Sequence, residues 1–101
     1  MDFNVKDVGT DREVYLSGKL SFADHKKFRE VVQGLKAGNL RHCTLDMTRL
    51  ESIDSAGLGL LILVKDTAKD KNLSLCIRGP KGQVRKMLEI SRFGDIISIT
   101  E

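Results

Sequence analysis

The stretch of sequence that decides the fold runs from Leu45 to Leu61 and reads LDMTRLESIDSAGLGLL. Its first residues alternate apolar and polar side chains, which is the period of a β-strand. From Ala56 onward the residues are too apolar for a helix that starts in solvent, so we expect its first two turns to be buried. The stretch predicts a strand that continues through a short loop into a helix, with Ser55 at the N-cap or the first helical position.

Strand and helix patterns alternate on both sides of this stretch. The predicted elements are strands at 3–6 and 13–17, a helix from Ser21 to Gly38, a strand at 41–47, a helix at 56–71, a strand at 73–78, a helix ending at Gly94 and a strand at 96–99. Such alternation predicts an α/β fold: a mixed, mainly parallel sheet of four to five strands with helices packed against it. We expect the amino-terminal strand at the antiparallel edge.

Length and composition indicate one globular domain spanning residues 1–101. The chain has 101 residues, of which 41% are hydrophobic and 31% charged, as is usual for a globular domain. Its longest apolar run, Leu58–Val64, is far shorter than the roughly 20 residues that cross a bilayer. The amino terminus lacks the apolar centre of a signal peptide. We therefore expect a cytoplasmic protein without membrane insertion.

Neither the cysteines nor the charges indicate a zinc or nucleic-acid site. Cys43 and Cys76 lie in separate strand patterns without the spacing of a zinc site or a redox motif, so we expect two reduced thiols. The net charge is +3, but acidic and basic residues alternate along the chain. The aromatic residues are four Phe and one Tyr, and none is interleaved with a basic run. We therefore expect no nucleic-acid partner.

The sequence offers no catalytic machinery. Asp46 ends a strand as the phosphorylated Asp of a receiver domain does, but the acidic pair that would hold Mg²⁺ is missing. Ser55 is not the centre of a Gly-x-Ser-x-Gly elbow, because position 53 is Ile. His25 and His42 share no metal-ligand spacing with each other or with the cysteines. We expect neither an enzyme nor a bound metal or cofactor.

Ser55 has two interpretations from its surroundings alone. Serine before a helix is most often a cap, whose hydroxyl accepts a bond from an unpaired backbone N–H. The amino end of a helix also carries partial positive charge and free N–H donors, so it tolerates an added phosphate. Small Ala56 and flexible Gly57 would leave the backbone open to another molecule. The two roles are compatible.

The residues from Leu45 to Leu61 resemble the signature of the STAS domain of anti-sigma-factor antagonists. That signature runs from a strand and an Asp, through an apolar residue, to Asp-Ser, a small residue and Gly-Leu. The matching residues are Asp46, Ile53, Asp54, Ser55, Gly57 and Leu58. The run from Pro80 to Ser91 also resembles the last helix of that family.

This resemblance implies a phosphorylation-controlled protein-interaction switch. A serine kinase of the histidine-kinase-like ATPase fold, acting as the anti-sigma factor, would phosphorylate Ser55, and a PP2C-type phosphatase would restore it. The unphosphorylated protein would bind its partner and the phosphoprotein would be released, because an added charge of about −1.5 to −2 disrupts a close interface. Such partner switching would serve signal transduction and transcription regulation.

We expect the partner to contact the loop before Ser55, the first turns of the following helix and the loop from Lys19 to Phe22. The candidate partner-binding residues are Lys19, Ser21, Phe22, Asp54, Ala56, Gly57, Leu58 and Leu60. One departure from the family is that Gly18–Ser21 reads GKLS where many members have Gly-Glu-Leu-Asp, so an acidic contact is missing or is replaced by Lys19. The alternative function is a constitutive STAS-like scaffold subunit of a lipid-transport ATPase complex, without a phosphate cycle.

Overall fold

A computed structural model of the chain describes residues 1–101. Its elements are β1 (Asp2–Val8), β2 (Asp11–Leu20), α1 (His25–Ala37), β3 (His42–Ile53), α2 (Ser55–Asp70), β4 (Ser74–Arg78), α3 (Gly82–Ile90) and β5 (Ser98–Thr100). Two short 3₁₀ turns, at Phe22–Asp24 and Phe93–Asp95, precede α1 and follow α3.

The five strands form one mixed sheet in the order β1-β2-β3-β4-β5. β1 is antiparallel to β2, and the other neighbours are parallel. Because the strand order follows the chain order, right-handed crossovers bring the helices to the same face of the sheet. The predicted α/β fold, with a mainly parallel sheet and an antiparallel amino-terminal edge, is confirmed.

The core lies between the helices and the apolar face of the sheet. The central strand β3 contributes Cys43, Leu45 and Met47, each at most 1% exposed, and α1 contributes Phe28. Burial raises the pKa of the Cys43 thiol to about 12, so this side chain behaves as a small apolar residue. Both cysteines are free, and Cys76 is half-buried.

β3 continues to Ile53, so the loop predicted after Met47 is wrong. The register with β2 shifts twice, from Tyr15↔Asp46 to Ser17↔Arg49 and again between Gly18↔Leu50 and Lys19↔Ser52. At each shift β3 has one residue more than β2, which is a β-bulge. The bulges interrupt the alternation of apolar and polar residues, which is why the sequence pattern ends early.

The burial of α2 and the end of α3 also differ from the prediction. Only one side of the first turns of α2 is buried, and Ile62 remains 40% exposed, because the sheet covers a single face of this helix. α3 ends at Ile90 rather than at Gly94. Arg92 adopts a left-handed conformation with φ 56°, which stops the helix and leads into the second 3₁₀ turn.

A polar cluster occupies the sheet face opposite the helices. Arg78 donates to the Asp46 carboxylate over 2.9 Å and to the Glu13 carboxylate. Asp46 also accepts bonds from the Thr48 hydroxyl over 2.6 Å and from the Thr48 N–H over 3.0 Å. Burial acts to raise the pKa of Asp46, but these hydrogen bonds outweigh it and lower the pKa below the usual range. The cluster joins β2, β3 and β4.

Asp46→Asn is expected to lower the free energy of unfolding near pH 7 by about 1–3 kcal/mol, because Arg78 and Thr48 lose a charged acceptor. The folded-state pKa lies below the unfolded value of about 3.9, so the stabilisation is complete above that value and disappears as the pH falls through the folded pKa. Urea unfolding across pH should show the deficit shrinking in acid.

The matched control is Asp66→Asn, whose carboxylate is 60% exposed beside Lys65 and should matter little at any pH. A deficit of Asp46→Asn that is unchanged in acid would contradict the role of its charge.

Candidate partner-binding site

Asp54 is the single residue between β3 and α2. Its carboxylate accepts the Gly57 N–H over 2.7 Å, and its carbonyl accepts the Leu58 N–H over 3.0 Å. Its own N–H donates to the Leu20 carbonyl over 3.3 Å. Asp54 is therefore the N-cap and Ser55 the first helical residue, so the capping role considered for the Ser55 hydroxyl is wrong.

Ser55 is exposed to solvent. Because the Asp54 side chain caps the helix, the Ser55 hydroxyl is free of that task. The first backbone N–H groups of a helix have no partner within it and point out of its amino end. The hydroxyl thus lies on an accessible helix start, where modification would not break a cap.

Gly57 allows α2 to approach the ends of β2 and β3 closely. A Cβ atom at this position would lie 2.6 Å from the Leu20 carbonyl oxygen and 2.7 Å from Cγ1 of Ile53. Leu58, the next residue, is only 8% exposed. Gly57 and Leu58, which the sequence places among the candidate partner-binding residues, are buried and face the core, so they offer little surface to a partner.

The other candidate residues lie at the surface around Ser55. The Leu20–Asp54 hydrogen bond brings the segment 19–22 beside the start of α2. In that segment Lys19 is exposed, and Phe22 is 69% exposed and stacks on His25 with ring centroids 5.0 Å apart. The half-buried or exposed candidates are Lys19, Ser21, Phe22, Asp54, Ala56 and Leu60.

The exposed side of α2 extends this surface with residues that the sequence pattern did not indicate as candidates. Ser55, Gly59 and Ile62 follow one another at helical spacing, and all three are exposed. Ile62 and Leu63 are 40% and 44% exposed, so the outer side of α2 carries apolar area next to Ser55 and Gly59. The i, i+4, i+7 spacing from Ser55 was the signal that could have identified Gly59 and Ile62.

A second missed residue is Gln83 in the first turn of α3. Its Oε1 accepts the Ile53 N–H over 2.8 Å, and its Nε2 donates to the Ile53 carbonyl over 2.8 Å. Ile53 is two residues before Ser55, so α3 is attached directly to the segment that positions the serine. No sequence pattern indicates a contact between residues 30 positions apart.

The structure contains no group of three or more His, Cys, Asp or Glu side chains arranged to hold a metal ion. A cavity of about 370 Å³ lies on the polar sheet face beside Tyr15, Asp46 and Arg49. None of the helices has both the length and the apolar character needed to cross a bilayer.

The chain matches a family model described as "Mlab, STAS domain" over residues 3–99. It is 28% identical to a STAS-domain-containing protein of Pseudomonas aeruginosa over 92 residues, which is 91% of this chain and 90% of that protein. It is also 22% identical to the anti-sigma-B factor antagonist of Staphylococcus aureus, covering 100% of this chain and 95% of the relative.

Among solved structures, the chain is similar to the Bacillus anti-sigma factor antagonist SpoIIAA. The unphosphorylated form gives a TM-score of 0.83 at 19% identity, covering 99% of this chain and 89% of the other. The phosphorylated form gives 0.74 at 19% identity, covering 99% and 92%. At this identity the likeness shows the shared fold. Because the family model spans nearly the whole sequence, the chain belongs to the STAS domain family.

Proposed function

We propose that this chain is a cytoplasmic, single-domain, non-enzymatic switch in a partner-switching pathway. Unphosphorylated, it binds a serine kinase of the histidine-kinase-like ATPase fold that acts as an anti-sigma factor. Phosphorylation of Ser55 releases it, and a PP2C-type phosphatase restores the binding form. The observation that carries the proposal is that Ser55 is exposed on the first turn of α2 while Asp54 performs the capping.

This arrangement lets a phosphate change the surface without unfolding the domain. A phosphoserine adds about −1.5 to −2 charges at neutral pH. The positive end of the helix dipole favours that charge, whereas the neighbouring Asp54 carboxylate opposes it. Because Ser55 is exposed, the main consequence of the charge falls on a partner surface packed against the helix start, where the charge must be desolvated.

The surface around Ser55 has the composition of a docking site. Exposed Phe22 is a large aromatic side chain, the type that often anchors interfaces. Ile62 and Leu63 supply aliphatic area on the same side of α2 as Ser55. Lys19 adds a positive charge at the edge. A partner with an apolar centre and an acidic group facing Lys19 would fit this surface.

The relatives support the anti-sigma assignment. One relative that aligns over the full chain is named an anti-sigma-B factor antagonist. SpoIIAA has been solved both with and without its phosphate, so a protein of this fold carries a phosphate without losing its structure. The Asp54-Ser55 pair at the start of α2 is the feature of this chain that the proposed kinase would recognise.

The second candidate is a constitutive scaffold subunit of a lipid-transport ATPase complex. The observation in its favour is that the matching family model is described by the name Mlab rather than as an anti-sigma-factor antagonist. A scaffold would use the same surface without modification of Ser55. The two functions differ in one measurable respect, which is the response of binding to a negative charge at position 55.

Ser55→Ala and Ser55→Asp are expected to separate these functions. Since Asp54 is the cap, Ser55→Ala should change stability by no more than about 0.5 kcal/mol and should still bind the partner. Ser55→Asp should also fold, but its affinity should fall at least tenfold, about 1.4 kcal/mol, because the interface must desolvate the charge. Purified anti-sigma serine kinases of the source organism serve as binding partners in calorimetry.

Incubation with such a kinase and ATP should add one phosphate to the wild type and none to Ser55→Ala, as read by intact mass. Phosphate on another residue, or equal affinity of the Ala and Asp variants, would refute the switch; equal affinity would favour the scaffold.

Ala56→Arg should abolish partner binding while the far-ultraviolet circular dichroism stays native. Ala56 is half-buried beside Ser55, so a long charged side chain there would project into the docking surface. The control is Asp70→Arg, which adds the same side chain at the exposed far end of α2. If Ala56→Arg binds as well as Asp70→Arg, the interface lies elsewhere.

A further inference from the structure

The carboxyl end of β3 lacks a strand neighbour on one side. β4 pairs with β3 as far as Asp46↔Arg78 and then leaves the sheet. At that point Gly79, with φ +68°, passes so close to Thr48 that a Cβ atom would lie 2.4 Å from its Cγ2. The rest of β3, up to Ile53, pairs only with β2.

Gln83 replaces the missing strand at the last residue of β3. Within a strand, the N–H and C=O of one residue point to the same side, and those of the next residue point to the other. Asp54 directs its N–H to Leu20 on β2, whereas both backbone groups of Ile53 face α3. The Gln83 amide accepts the Ile53 N–H and donates to the Ile53 carbonyl, each over 2.8 Å, as the backbone of a paired strand would.

From this geometry we infer that Gln83 is a positioning residue for Ser55. The strand end is held from both sides, by the Leu20 carbonyl and by the Gln83 amide, and only Asp54 separates it from the serine. Ile53 is 2% exposed, so its backbone N–H and C=O rely on the Gln83 amide for hydrogen bonds, although the Gln83 side chain itself is exposed. Loss of the two bonds would let Ile53–Ser55 move and weaken the cap on Gly57. The inference rests on the proposed function only where it concerns phosphorylation.

A positioning role predicts that removal of Gln83 affects the kcat of phosphorylation but not the KM. Gln83 is not among the residues of the proposed docking surface, so its removal should leave KM nearly unchanged. The serine hydroxyl must nevertheless be held in line with the transferred phosphate. Gln83→Met, which keeps the length of the side chain without its amide, should therefore lower kcat about tenfold, equivalent to about 1.4 kcal/mol.

Amide hydrogen exchange measured by NMR on the intact chain tests the attachment without any partner. In Gln83→Met, the Ile53 and Gly57 N–H groups should exchange at least about tenfold faster than in the wild type, through local opening. The N–H of Leu45 in the middle of β3 should be unaffected. Lys86→Met is the matched control, because Lys86 is exposed on the same helix.

Gln83→Glu provides a second test, because acid should restore the hydrogen bonds between this side chain and Ile53. A general destabilisation of α3 would not be reversed by acid. The carboxylate of this variant can still accept the Ile53 N–H but cannot donate to the Ile53 carbonyl until it is protonated. Exchange protection of Ile53, corrected for intrinsic rates, should therefore recover in acid. The ionisable neighbours of Ile53 and Gln83 in sequence are Asp54 and Lys81. Both are also present in the wild type, so the pH profile of the wild type is the reference.

If the Ile53 and Gly57 N–H groups of Gln83→Met exchange no faster than those of the wild type, the inference is overturned. Faster exchange together with an unchanged kcat would also overturn it. A tenfold lower kcat with faster exchange would support it. If no kinase modifies wild-type Ser55, the proposed switch fails, and the exchange of Ile53 and Gly57 alone still decides whether Gln83 positions the start of α2.

Discussion

The close approach of the α2 backbone to the ends of β2 and β3 is the constraint on which this structure depends. Gly57 has no room for a side chain between Leu20 and Ile53. The same approach places the Asp54 N–H on the Leu20 carbonyl and the Asp54 carboxylate on the Gly57 N–H. A larger residue at position 57 would push the helix away and break both bonds, which would release the segment that presents Ser55.

The two sides of α2 face different surroundings, the core on one side and solvent on the other. The inner side contributes Leu58, Leu61 and Val64 to the core, while the outer side carries Ser55 and Ile62. Under the proposed function, a change on the outer side would alter binding with little effect on the core. Such a division suits the proposed switch, because phosphorylation of Ser55 would change only the charge at one surface position.

The sequence predicts the fold well because the period of apolar residues changes between strands and helices. It predicts β3 poorly because two bulges add residues between Asp46 and Ser52 and disturb the alternation. It placed Ser55 at the N-cap or the first helical position, because serine is favoured there, and did not identify Asp54 as the residue that caps α2. Gln83 has no sequence signal, because its contact with Ile53 arises only when α3 folds back beside the sheet.

In the proposed switch, a phosphate at Ser55 changes binding and leaves the fold intact. The most direct measurement uses protein with phosphoserine incorporated at position 55, for which urea unfolding and affinity for the partner kinase are determined on the same sample. We expect a free energy of unfolding within about 0.5 kcal/mol of that of the unmodified protein and an affinity at least about tenfold lower. An unfolded or strongly destabilised phosphoprotein, or one that binds as tightly as the unmodified protein, would contradict the proposed switch.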